Sequence, residues 1–225
     1  MIKYYLIGEV HGTNECPKAC LDLLVKKNIK QLALEFGKNL QPELDAFLND
    51  ELAVEDLTIF KNPEDTRASK AMRDLIQQAK EKKIKLYFID TWYSTPDQDK
   101  IMAENLMEIE GKVAYFCGAA HASKRPICFD SDSILFNMFK NGTLKTCGSF
   151  LPEEKTTSYR VDALEGGEIY NQQIEEYITG NKRLIGMLGS RKFPIIIHSR
   201  GKRYDYTYLV KQFTPSINFY KLQQP

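Results

Sequence analysis

Lys3-Tyr4-Tyr5-Leu6-Ile7-Gly8-Glu9-Val10-His11-Gly12-Thr13-Asn14-Glu15 carries an apolar strand straight into a carboxylate and an imidazole. The β-branched and aromatic run ending at Ile7 reads as a β-strand. Residues two apart on an extended chain share a face, so Glu9 and His11 point the same way. Asn14 then reads as the cap of a helix with Cys16, Cys20, Leu23 and Leu24 along one side. Free N–H groups at such a helix start favour negative charge close to His11.

The pattern recurs downstream, and the recurrence defines the fold. Lys30-Gln31-Leu32-Ala33-Leu34 is a second strand ending on Glu35. Ile84-Lys85-Leu86-Tyr87-Phe88-Ile89 is a third, ending on Asp90. Lys112-Val113-Ala114-Tyr115-Phe116-Cys117 is a fourth, followed by Gly118-Ala119-Ala120-His121. Helical stretches alternate with them. One carries Leu44, Phe47, Leu48 and Leu52. Another is expected to start at Asn62-Pro63-Glu64-Asp65 and has an amphipathic stripe of Ala68, Ala71, Met72, Leu75, Ile76 and Ala79. A third, over about 97–110, turns Met102, Ala103, Leu106 and Ile109 inward. Strands alternating with helices predict an α/β fold: a mostly parallel sheet with helices on both faces, in one domain over 1–225.

The second half carries a weaker pattern. A short helix is expected over 131–139, with strands at 143–150, 158–163, 193–198 and 204–210. Gly166-Gly167 reads as a loop, and Pro194 marks an edge strand or a strand's first residue. His198 closes one of these strands and is read as structural. Tyr204, Tyr206 and Tyr208 alternate and read as one aromatic face.

Composition narrows the function classes. Lysine plus arginine total 31 against 30 acids, a net charge of +1, which gives no electrostatic case for nucleic acid or an acidic membrane. The opening apolar run is too short for a signal peptide, and no run approaches a membrane span. Five cysteines, with Cys117 inside a strand and Cys16 and Cys20 one helical turn apart, argue against a disulfide framework. The expectation is a reduced, cytoplasmic protein acting on a small molecule or peptide. Nothing in the composition speaks to its oligomeric state.

Parallel strands finish on one edge of a sheet, and ligands of open α/β folds bind outside those carboxyl ends. Here that edge gathers Glu9, His11, Glu35, Asp90 and His121. Two chemistries suit the set. In one, His11 is the general base for a water, oriented by Glu9 or Glu35, and His121 stabilises the oxyanion. In the other, His11, His121 and Glu9 hold a divalent metal that activates the water. Trp92, just past Asp90, is placed to line the pocket with it. Cys117, buried in its strand, reads as a packing residue, and Thr13 and Ser123 are weaker nucleophile candidates because neither sits in a Gly-x-Ser-x-Gly elbow. No glycine-rich phosphate loop appears.

Gly8-Glu9-Val10-His11-Gly12 and the Leu34-Glu35 strand end resemble the opening element of the erythromycin esterase-like and ChaN-like superfamily, which has more distant kinship to the Tiki/TraB proteins. Asp99-Lys100-Ile101-Met102-Ala103-Glu104-Asn105 is similar to the Arg-Asp-x-x-Met-Ala-Glu-Asn helix of the esterases, with Gln98 in place of the arginine. Gly118-Ala119-Ala120-His121 matches the Gly-x-x-His element. Glu64-Asp65-Thr66-Arg67-Ala68-Ser69-Lys70-Ala71-Met72 resembles an Asp-Gly-Arg-x-Ser-x-x-Met helix. The likeness covers roughly residues 2–122. It implies a hydrolase with Glu9, His11, Glu35 and His121 as catalytic residues, and Arg67 holding a substrate carboxylate or oxyanion. Within the superfamily the esterases hydrolyse lactones, the Tiki proteins are metal-dependent peptidases and ChaN binds haem. The alternatives are therefore a non-catalytic haem- or ligand-binding protein, or a degenerate member whose pocket serves a partner protein.

Overall fold

A computed structural model describes residues 1–91, 97–131, 142–188, 191–199 and 201–223. Its first half alternates β1 (Tyr4–Glu9), α1 (Glu15–Lys26), β2 (Gln31–Gly37), α2 (Gln41–Leu48), α3 (Lys70–Glu81), β3 (Lys85–Asp90), α4 (Gln98–Glu108) and β4 (Val113–Gly118). The rest adds β5 (Ile127–Cys128), β6 (Thr143–Leu144), α5 (Cys147–Phe150), β7 (Thr156–Ala163), β8 (Gly167–Asn171), β9 (Gln173–Tyr177), β10 (Ile195–His198) and β11 (Tyr206–Val210).

Seven strands form one sheet in the order β10-β11-β7-β1-β4-β2-β3. All pairings are parallel except β10 with β11 at one margin. Buried strands with both faces covered need apolar residues throughout, and β4 is buried along its whole length. Ala114 and Phe116 join the core beneath α1, α2 and α3, while Val113, Tyr115 and Cys117 join a second core beneath α4. The two-residue alternation of the strand thus feeds both cores, and helices lie on both faces of the sheet. No helix among the described residues is long and apolar enough to cross a membrane.

Local expectations fared unevenly. Asn14 precedes α1, but its amide donates to Thr214 Oγ1 and Pro215 O, so it ties the chain end to the helix rather than capping it. The helix expected from Asn62-Pro63 begins instead at Lys70, where Ser69 accepts from the Met72 N–H. Asp65 is not free to act in a first turn, because its carboxylate takes the Arg67 N–H and guanidinium. The strand expected at 143–150 is two residues of β6 followed by α5, whose start Thr146 caps by accepting from the Ser149 N–H. Gly166-Gly167 opens the β8–β9 hairpin rather than a plain loop. The three tyrosines do not share a face. Tyr206 stacks on Tyr159 and Tyr208 reaches Asp22, whereas Tyr204 crosses to donate to Ala119 O at 2.6 Å. His198 sits on the antiparallel margin against Tyr206, four strands along the sheet order from β4. All five cysteines are free thiols, and only Cys128 is exposed. The helix expected over 131–139 falls almost wholly outside the described residues, as does Trp92.

Candidate active site

β1 and β4 are neighbours in the sheet, so Glu9 pairs in register with Gly118 and their strand ends lie side by side. The chain then turns tightly after each strand. Gly118 has no side chain, and the two histidines occupy the room this leaves. A β-carbon built there would meet His11 Nε2 at 3.0 Å and His121 Cδ2 at 3.5 Å. The two imidazoles therefore flank a single backbone position.

Each imidazole has its own buried carboxylate. His11 Nδ1 lies 2.9 Å from Glu9 Oε1, and His121 Nδ1 lies 2.8 Å from Asp99 Oδ1. Asp99 is fixed in turn by the Cys147 N–H at 2.5 Å. Burial works against a charged His11, but Glu9 and Glu35 outweigh it and raise its pKa. Burial also opposes the His121 imidazolium, yet Asp99 and Glu35 push its pKa up to about 9. His121 is thus a cation at neutral pH.

Glu35 lies between these pairs and the far side of the sheet. Its Oε2 accepts the Gly118 N–H at 2.6 Å, and its Oε1 is 3.6 Å from His121 Nε2. Burial would raise its pKa, but His121, His11, Arg67 and the Gly118 N–H together lower it. Of the two orienting residues considered for His11, Glu9 makes the contact, and Glu35 faces His121 and Arg67 instead.

Arg67 comes from the segment before α3, and acceptors engage every nitrogen of its guanidinium. Nε and Nη2 donate to the two Asp65 oxygens at 3.0 and 2.9 Å. Nη1 donates to Glu35 O at 2.7 Å and lies 3.3 Å from Glu35 Oε1 and 3.5 Å from Asp90 Oδ2. Asp90 also accepts from Gln98 Nε2 at 2.8 and 3.0 Å. Its pKa is raised, first by burial and then by the nearby Glu35. A cavity of about 230 Å³ opens on this flank, lined by Phe36, Leu40, Ile59, Asp65, Arg67 and Asp90 among others, and neither histidine lines it.

Two groups were legible only in part. Asp99 lies inside the Asp99–Asn105 helix motif, but the motif alone does not name His121 as its partner. The signal was available, since Asp99, Met102, Ala103 and Leu106 follow the i, i+3, i+4, i+7 spacing of a buried stripe. An acid on an apolar stripe asks for a buried partner. Asp65, two residues before Arg67, carries no comparable signal.

The other candidates recede. Cys117 is buried and its thiol is pushed well up by burial. Thr13 Oγ1 donates to Val10 O and Ser123 Oγ to Arg125 O, so neither hydroxyl is aimed at the histidines. Among the described residues, no three histidine, cysteine or acidic side chains are arranged to hold a metal ion. Among the described residues that line the small cavity there is no histidine or tyrosine to serve as an axial haem ligand.

No family model and no curated protein matches this chain. Solved structures do. The erythromycin esterase EreC, a mutant in its open conformation, is similar at TM-score 0.65 and 11% identity, covering 96% of this chain and 92% of that one. A succinoglycan biosynthesis protein is similar at TM-score 0.64 and 10% identity, over 96% and 89% of the two chains. A Bacillus cereus protein follows at TM-score 0.62 and 12% identity, over 96% and 90%. At such identities the likeness is one of fold, and the fold of this chain is that of the erythromycin esterase.

Proposed function

We propose that the protein is a hydrolase that cleaves an ester, amide or related bond with water activated at the carboxyl edge of its sheet. The observation that carries this reading is the pair of histidines beside Gly118, each with its own buried carboxylate. A base and an acid in one site need environments that separate their protonation states. His11 is the base: Glu9 takes its Nδ1 side and leaves Nε2 to accept a proton from water. His121 is the acid: held charged by Asp99 and Glu35, it stabilises the developing oxyanion and can return a proton to the leaving group. Arg67 is a positioning residue that holds Glu35 and Asp90. The shared fold of an esterase supports the class of reaction and says nothing of the substrate.

A panel of activated esters and lactones, read as kcat/KM against pH, tests the assignment. Activity should rise through a pKa above 6.5, as His11 loses its proton, and fall through about 9, as His121 loses its own. His11→Ala should abolish turnover with the fold intact. His121→Gln should remove the alkaline limb and lower kcat by roughly a hundredfold or more. An alkaline limb that survives His121→Gln would reject His121 as the acid.

A further inference from the structure

The chain lays down β1 to β4 on one side of the sheet and only then crosses to β7 on the other side of β1. The junction of β1 and β7 is therefore the topological switch point, where open α/β sheets form their ligand crevice. Gly8 of β1 pairs in register with Arg160 of β7, one residue before Glu9. Paired residues leave the sheet on the same face. On that face a β-carbon at Gly8 would meet Ala119 Cα at 2.9 Å and Ala122 Cβ at 3.0 Å. Arg160 thus emerges beside the turn that carries His121. Tyr204, whose phenol is influenced by Arg160, donates to Ala119 O of the same turn.

This arginine is held loosely. Its Nη2 donates to Tyr177 OH at 3.3 Å, and its Nε lies 3.3 Å from Asp162 Oδ2 without making a hydrogen bond. That Nε is the one buried side-chain polar atom among the described residues left without a hydrogen bond. Nη1 has no hydrogen-bond acceptor among them. Asp162 does not depend on the arginine, because it also accepts from Tyr177 OH and the Ala163 N–H, both at 2.9 Å. A guanidinium with unused donors at the switch point of the sheet matches the planar, two-oxygen geometry of a carboxylate or phosphate.

From this arrangement we infer that Arg160 anchors an anionic group of the substrate, a carboxylate or phosphate, so that the substrate class is an anionic ester or amide. The inference takes its meaning from the hydrolase reading, but its test does not need turnover. Inorganic phosphate and succinate should be titrated into ¹⁵N-labelled protein while the Arg160 Nε–H and the His121 ring are followed by NMR. Both anions are expected to shift the Arg160 resonance with saturation. Arg160→Gln should weaken phosphate binding by roughly tenfold or more, and Arg160→Lys by less. An Arg160 Nε–H that neither anion moves would overturn the inference, even if Arg160→Gln fails to fold. So would a folded Arg160→Gln protein that binds phosphate as the parent does. If the anions bind at Arg160 but no ester or amide is turned over, the hydrolase reading fails while the anion site stands.

Discussion

The sheet edge on either side of β1 and β4 is built around an arginine, and the two arginines are treated in opposite ways. Arg67 has Asp65 on two nitrogens and Glu35 and Asp90 around the third. Arg160 has one phenol, one poorly aligned carboxylate and a buried N–H with no hydrogen bond. A guanidinium surrounded by acceptors is part of the scaffold, because a ligand would have to displace one of them. A guanidinium short of acceptors is still available. The same side chain thus positions carboxylates on one flank and offers donors on the other, and the difference lies wholly in its partners.

The largest expected effect tests the first half of that contrast. Arg67→Ala leaves Glu35, Asp65 and Asp90 facing one another without their shared cation, and the Glu35 and Asp90 side chains are 9% and 5% exposed. Breaking a buried pair by removing one partner costs about 3–5 kcal/mol. Urea unfolding should show a loss of that size with an unchanged slope. A loss below about 1 kcal/mol would mean that Arg67 is not holding these carboxylates.

The two flanks also differ in how much of them could be read from the chain. The strands ending at Glu9, Glu35 and Asp90, and β4 before His121, announce themselves as apolar runs, since burial on both faces leaves no room for polar interruption. Glu9, His11, Glu35, Asp90 and His121 follow because parallel strands share one edge. What stays hidden are contacts between distant elements: Asp99 with His121 across 22 residues, and Arg67 with Glu35 across 32. Nothing local encodes those partners. Residues 62–69 mislead for a related reason, since Asp65 serves Arg67 rather than a helix start. Arg160 and Asp162 alternate with Tyr159 and Val161 in an ordinary strand pattern, so only the order β7-β1-β4 reveals that their strand borders the one that ends at Glu9.

A second expected effect belongs to the point between the flanks. The folded pKa of His121, about 9, lies above its ordinary 6.5. A raised pKa contributes stability that is fully present below about pH 6.5 and is lost as pH rises through about 9. The stability difference between the parent and His121→Gln should therefore shrink by about 3 kcal/mol between pH 6 and pH 9.5. Asp99→Asn should reduce that pH dependence, because the Asp99 hydrogen bond, with the charges of Glu35 and Asp99 beside it, holds the imidazolium. A difference that stays constant across this range would place the charge on His121 in doubt, and with it the division of labour between the histidines.

The smallest expected effect completes the comparison of the arginines. Arg160→Gln removes a side chain that is 39% exposed, so whatever charge attraction it makes is screened by solvent. Asp162 keeps the Tyr177 hydroxyl and the Ala163 N–H as donors. The buried Nε–H that lacks an acceptor disappears with the guanidinium, which works in the variant's favour. The net change in unfolding free energy should lie within about 1 kcal/mol, against the several expected for Arg67→Ala. Adding phosphate should stabilise the parent and leave Arg160→Gln unmoved, because a ligand raises stability only through the state that binds it. If Arg160→Gln instead costs as much as Arg67→Ala, both arginines are scaffold and the asymmetry of the edge is only apparent. A small intrinsic cost together with a lost phosphate response is the pattern that a guanidinium kept available for a ligand requires.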